Sequence, residues 1–368
     1  MNKLFYAGCT AVLFLSLVSC EDKKNVVAGE KSITIEAVQV DTIAVGQLEN
    51  TSYTGFSGVC EDSLYFYDGV LGYYYKLGLD GTVGKKRLGL GHGPGEIPTR
   101  VDGVSYSPET KLLFGPGSTY DGYTYDESTN TVTRHTMKAP KWDDPYRSPD
   151  SYSIWDEYIQ VSYKNYIFYN ILNEVKPFMV DGDALEKSAI IMRYDTNNEE
   201  MVALGNFSKF VVDNQNRVRH LPHIYFDVAE DGTFFVTFQA DPSIYHYDKD
   251  FNLIASFGFE GEEMDTDYTE STLGMESFGI AYETDIEKVG FYTWLKHVGD
   301  YTFRSYRKTA TAEKEGLQVY DSNYNLIADV EVPKGLKVTG KIGDYYVSQV
   351  VCDEDNQKLS FFRFKLEQ

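Results

Sequence analysis

Tyr247-Asp248-Lys249-Asp250-Phe251-Asn252-Leu253-Ile254 and Tyr320-Asp321-Ser322-Asn323-Tyr324-Asn325-Leu326-Ile327 are close copies of one eight-residue pattern. Each closes an apolar stretch on a tyrosine, crosses a polar turn and re-enters apolar sequence, as two strands joined by a tight connection would. Shorter versions stand at Tyr125-Asp126-Glu127 and Tyr194-Asp195-Thr196. A degenerate copy lies at Tyr75-Lys76-Leu77, where Asp80-Gly81 makes the turn, and a last one at Phe364-Lys365. The starts at 75, 125, 194, 247, 320 and 364 are 50, 69, 53, 73 and 44 residues apart.

Six units of about forty to fifty residues, two of them with insertions, match the period of β-propeller blades. The Tyr-Asp turn then joins the third and fourth strands of each blade. One four-stranded blade cannot bury both its faces, whereas a closed ring covers every face and leaves only short outer edges. After Gly335 the chain offers three strands, Val338 to Ile342, Tyr345 to Cys352 and Leu359 to Leu366. The missing fourth is expected from Ile33 to Val45, which would lock the ring by pairing the two ends of the chain. The fold class predicted is all-β, a six-bladed β-propeller closed by an N-terminal strand.

Composition agrees with this. The chain has 368 residues, 42% of them hydrophobic and 15% aromatic, with 30 tyrosines. A disordered chain would be poor in aromatics. No apolar run beyond the N-terminus reaches the ~18 residues of a membrane span. The 34 basic and 56 acidic residues give a net charge of −22, which would repel a phosphate backbone and excludes an electrostatic nucleic-acid binder. Asp-Gly pairs at Asp68, Asp80, Asp102, Asp121, Asp181 and Asp231 suit hairpin turns. Long helical periodicity is nearly absent, and only a short helix is expected, within Met264 to Met275.

The N-terminus reads as a targeting segment. Lys3 precedes the apolar stretch Leu4 to Val18, which fits the core of a signal peptide. The stretch ends in Leu17-Val18-Ser19-Cys20, which resembles a bacterial lipobox and implies cleavage before Cys20 and lipidation of its thiol. The expected organisation is a signal peptide over 1–19, lipidated Cys20 and a polar tether over 20–32, and a propeller over 33–368. The membrane is then contacted through the lipid.

Leu88-Gly89-Leu90-Gly91-His92-Gly93-Pro94-Gly95-Glu96 resembles the Gly-x-Gly-Pro-Gly-Glu signature of six-bladed β-propeller lipoproteins of Bacteroidetes-type bacteria. Phe257-Gly258-Phe259-Glu260-Gly261-Glu262 is a worn second copy without the proline. That resemblance implies an outer-membrane lipoprotein of the cell envelope, and Glu21-Asp22 behind the cysteine resembles a surface-export signal. It implies no activity. Physically, Gly91, Gly93 and Gly95 permit positive φ and close backbone approach, Pro94 stiffens the turn and Glu96 can cap amides left unpaired there. A blade-to-blade connector is the reading, against a nest of amides for an anion.

Chemistry is sparse. His220 and His223 are the only close pair among six histidines, and a catalytic zinc needs a third ligand. No cofactor and no metal are expected. Calcium is the one candidate ion, through acidic runs at Glu260 to Asp267, Asp181-Gly182-Asp183 and Asp353-Glu354-Asp355, none with complete ligand spacing. No Gly-x-Ser-x-Gly elbow occurs, and no catalytic residue is assigned. Cys60 and Cys352 would pair as a disulfide across the ring closure or remain buried thiols. Asp41-Thr42-Ile43 and Asp62-Ser63-Leu64 resemble short O-glycosylation sequons of the same bacterial group.

The insertions near Ala139 to Tyr163 and Gly261 to Lys314 are the functional candidates, since loops at one end of a propeller carry ligand contacts. Trp142, Tyr146 and Trp155 beside Asp143, Asp144 and Arg147 suit stacking on sugar rings with hydrogen bonds to hydroxyls. Trp294 reads as part of a core strand. The function expected is non-catalytic binding of a glycan or an envelope protein. A propeller hydrolase or lyase acting on polysaccharide, with calcium, is the alternative.

Overall fold

The computed structural model describes residues 28–116, 121–138, 146, 152–153, 159–173 and 183–367. Six antiparallel sheets are arranged as blades, each with its first strand innermost. Blade 1 runs Gly55–Cys60, Ser63–Asp68, Tyr73–Leu77 and Arg87–Leu88. Blade 2 runs Ser105–Ser107, Leu112–Pro116, Asp121–Asp126 and Thr131–Thr136, and blade 3 Gln160–Tyr163, Tyr166–Asn170, Ile191–Asp195 and Met201–Leu204. Blade 4 is Ile224–Val228, Phe234–Phe238, Ile244–Tyr247 and Leu253–Phe257; blade 5 is Phe291–Val298, Tyr301–Arg307, Lys314–Tyr320 and Leu326–Pro333. Blade 6 holds Val338–Ile342, Tyr345–Ser348 and Lys358–Phe364, with Val351–Asp353 also on its third strand. The six-bladed propeller read from the sequence is therefore the observed fold.

Every Tyr-Asp repeat sits at the end of a third strand, and its aspartate shapes the turn that follows. Asp248 Oδ1 accepts from the amides of Asp250 and Asn252, and Asp321 Oδ1 from those of Asn323 and Asn325. The aromatic inside each turn, Phe251 or Tyr324, takes positive φ (63° and 66°) and is turned against the preceding blade. The Asp-Gly pairs are less uniform. Gly81 and Gly232 have the positive φ of a turn, but Gly122 lies inside a strand, where a Cβ would meet the Phe114 ring at 2.6 Å.

Strand alternation sends successive side chains to opposite neighbours. In blade 1, Leu64 and Phe66 pack toward Val347, Leu359 and Phe361 of blade 6, while Tyr65 and Tyr67 pack toward Leu113, Tyr123 and Tyr125 of blade 2. Tyr65 and Tyr75 bury their rings and donate their hydroxyls at blade edges, to the carbonyls of Val104 and Glu49, whereas the buried Tyr67 and Tyr194 hydroxyls have no hydrogen-bond partner among the described residues.

The outermost strand of blade 6 is Val40–Ala44, antiparallel to Lys358–Phe364 with Val40 opposite Phe364 and Ala44 opposite Ser360. Residues upstream of it do something else. The amides of Ser32 and Thr34 donate to the carbonyls of Leu326 and Ile327 on the outer strand of blade 5, and that of Ala28 to Ser256 on blade 4. The stretch from 33 to 45 is thus divided between two blades.

The expected helix is displaced. Met275–Lys288 is helical instead, between blades 4 and 5, and shorter helices, Lys209–Asp213 and Gln215–Val218, lie between blades 3 and 4. The long helix buries only Ala281 and Asp285 and exposes Met275 and Ile280, so it has no apolar stripe for periodicity to reveal. Among the described residues no helix is long and apolar enough to cross a membrane.

Candidate functional site: the central channel

Each innermost strand is entered from the outer edge of the preceding blade, so all six run in the same sense around the axis. They enclose a channel of about 1160 Å³ lined, among the described residues, by eight carboxylates and three lysines. The turns after the innermost strands ring one mouth with Glu61, Glu109, Glu230, Asp231 and Asp300, joined by Asp321 from a Tyr-Asp turn. The other end is lined by Asp102, Gln160, Trp294 and Lys337.

Between blades 4 and 5 the wall is a three-ring stack. Phe235 lies between His246, its cross-strand partner, and His297, from the next blade; each pair of centroids is 4.2 Å apart and within 9° of parallel. His246 Nδ1 hydrogen-bonds the Tyr324 hydroxyl at 2.9 Å, and its buried Nε2 has no partner. His297 Nδ1 hydrogen-bonds Thr302 at 2.9 Å, and its amide donates to Asp227. Burial holds both imidazoles below the usual histidine range, with Asp231 opposing the shift. Asp227 is buried and paired with Lys296 at 2.8 Å. Asp102 is raised by burial, with no opposing partner.

Trp294 belongs to the innermost strand of blade 5 and packs against the core as expected, but it also lines the channel. Its Nε1 donates to the Val338 carbonyl, and the Lys337 ammonium stands 5.8 Å from its ring. It is half-buried and offers the channel an aromatic surface. The sequence reading missed this wall because its residues alternate along six separate strands. Only their position at the start of each repeat distinguishes them.

Of the residues assigned to sugar stacking, Trp142, Asp143, Asp144, Arg147 and Trp155 lie outside the described residues, as does Cys20; Tyr146 is half-buried. Cys60 and Cys352 are free thiols, so the possible bridge is not formed. Cys60 is buried and accepts from the Tyr74 hydroxyl. In the glycine-rich loop, Glu96 Oε2 accepts from the Gly93 amide at 2.7 Å. Of Gly91, Gly93 and Gly95 only Gly95 has positive φ, and there a Cβ would meet the Asn130 side chain of blade 2 at 2.6 Å. Gly91 is needed instead for the close approach of the Glu96 carboxylate. The loop runs from blade 1 onto the outer hairpin of blade 2.

His220 and His223 do not converge on a third ligand, and among the described residues no group of three His, Cys, Asp or Glu is placed to hold a metal ion. His220 Nε2 instead bonds Asp285 at 2.7 Å, with Ser271 Oγ 3.4 Å from Nδ1. This Ser-His-Asp sequence of contacts is wholly buried and none of its members lines the channel. It joins the Met275–Lys288 helix to the segment before blade 4.

The fold defines the chain as a six-bladed β-propeller. No family model matches it, and no curated protein matches it in sequence. Among solved structures it is similar to a member of the DUF4221 family from Bacteroides vulgatus, with a TM-score of 0.63 and 14% identity over 90% of this chain and 99% of that one. It is also similar to a protein from Bacteroides fragilis named as a candidate exported protein, with a TM-score of 0.52 and 12% identity over 93% of this chain and 100% of that one.

Proposed function

We propose that the protein is a lipid-anchored propeller of the bacterial outer membrane that binds a glycan or an envelope protein without chemically altering it. The observation that carries this reading is the channel, a cavity of small-ligand size with an aromatic wall and many polar groups. Thr302, the lining hydroxyl hydrogen-bonded to His297 Nδ1, is 2% exposed and poorly placed to attack a ligand. The Leu17-Val18-Ser19-Cys20 sequence supports the anchor, and the likeness to a candidate exported protein agrees with an envelope location. Thermal unfolding of residues 21–368 against plant, host and microbial glycans, with calcium and with chelator, tests the reading. A ligand at ~100 times its dissociation constant adds about 2.7 kcal/mol, a clear midpoint shift. If no glycan shifts the midpoint, the glycan reading loses its support and envelope proteins become the partners to test.

Asp102 favours a second reading, a polysaccharide hydrolase or lyase, because a carboxyl raised by burial in a cavity is suited to donate a proton. Product analysis on any stabilising glycan separates the two, and loss of turnover in Asp102→Asn would support the enzyme.

A further inference from the structure

We propose that the end of the channel opposite the acidic mouth is a subsite for a uronate sugar, with Trp294 as the platform for its ring and Lys337 as the counter-charge for its carboxylate. This rests on the reading of the channel as a glycan site and adds the charge of the sugar and the end at which it binds. Contacts from three blades hold this end together. The Trp294 indole of blade 5 donates to the Val338 carbonyl of blade 6, which fixes the ring edge while its surface lines the channel. The Lys337 carbonyl accepts from the Gln349 amide, and the amide of Val350 donates to Ser57 Oγ on blade 1. Among the described residues, the half-buried side chains of Lys337, Thr339 and Gln349 line this end and make no hydrogen bond or ion pair.

Lys337 is the unusual group. Lys296, also in the lining, is paired with buried Asp227 at 2.8 Å. Lys337 has no such carboxylate, in a chain with 56 acidic residues against 34 basic ones. Asp102, the acid at this end, does not neutralise it: burial alone raises that carboxyl, with no lysine opposing the shift. Withdrawing an ammonium from water is costly unless an anion meets it. A pyranose in van der Waals contact lies ~4 Å above an indole. The Lys337 ammonium stands 5.8 Å from the Trp294 centroid, a position from which it meets a carboxylate on the edge of such a ring. A small carboxylate alone would leave the indole, Thr339 and Gln349 unused. The acidic mouth is remote, because the five residues of Val338–Ile342 at ~3.3 Å each place it roughly 16 Å away. That is about two Debye lengths at ~0.15 M salt, so its repulsion is largely screened here.

The test is calorimetric titration of residues 21–368 at neutral pH and ~0.15 M salt with three ligands of equal length. They are a galacturonate trimer, its methyl ester and a neutral galactose trimer of the same linkage. The expected result is roughly tenfold or tighter binding of the galacturonate trimer than of the other two, as a charge-assisted contact supplies. Lys337→Gln should abolish that preference and Lys337→Arg should keep it, with unfolding midpoints showing that both variants fold. Trp294→Leu should weaken all three ligands, and unchanged binding there removes the platform. Equal binding of the charged and neutral trimers, or a preference that survives in Lys337→Gln, overturns the inference and leaves the glycan site standing. Binding of none of the three also overturns it, and the glycan reading then stands or falls on the wider unfolding screen.

Discussion

The junction between blades 6 and 1 is closed by apolar packing, whereas the junction between blades 4 and 5 adds a buried polar network to its apolar contacts. At the first, Leu64, Phe66 and Tyr75 meet Ile342, Val347, Leu359 and Phe361, and the chain ends are joined by the Val40–Ala44 ladder. At the second, the fully buried Arg304 of blade 5 donates to Gln318, to the Tyr320 hydroxyl and to the carbonyls of Pro242 and Phe259, with its guanidinium 3.8 Å from the Tyr292 ring centroid. The His220–Asp285 pair lies beyond it. An apolar interface tolerates small shifts, whereas a buried polar network has one satisfied arrangement. The polar junction also carries the His246–Phe235–His297 stack, so the stricter geometry stands where the channel wall is most specialised.

Deleting residues 33–45 should break the comparison most severely. It removes Ile35 and Ile43 from the core and leaves the third strand of blade 6 as an open edge. The unfolding midpoint should fall further than for any point change, and an equally stable, cooperative variant would show that this strand does not close the ring. Arg304→Ala comes next, at about 3–5 kcal/mol, since it strands several buried acceptors and opens a cavity. Chemical denaturation reads the loss. Arg304→Met should recover part of the packing and none of the hydrogen bonds.

Acid titration sharpens the same contrast. His246 and His297 have lowered folded values, so the unfolded chain binds protons first, and stability should decline as pH falls below 6.5. For Asp285, burial acts to raise the carboxyl, but the His220 and Thr269 hydrogen bonds hold it below the ordinary value. Its contribution is present above pH 3.8 and lost on further acidification. The slope below 6.5 should flatten in His246→Gln, as followed by unfolding midpoints across pH. The smallest effect is expected for Glu96→Gln, at about 1 kcal/mol, because it weakens one hydrogen bond within an exposed connector.

How much of this was legible depends on whether a feature repeats. The Tyr-Asp turn could be read because its aspartate performs the same local task wherever a third strand ends, independent of neighbouring blades. Gly122 misled because an Asp-Gly pair says nothing about whether a facing ring, here Phe114, needs the space. The Met275–Lys288 helix was hidden because Asp285, its main buried anchor, is polar and its partner His220 lies 65 residues away. Trp294 was assigned to a strand correctly, but which face of that strand meets the axis depends on the closed ring. Arg304 carried no mark either, since its acceptors come from two blades.

The path of the N-terminal segment has a mechanical consequence. A pull applied upstream of Ala28 first meets the hydrogen bonds of residues 28–34 along the rims of blades 4 and 5, and only then the ladder of Val40–Ala44. These two attachments act in series, so the first works as strain relief for the second. Load is taken up by bonds whose rupture leaves the ring intact, and the clasp that holds the circle shut is the last to feel it.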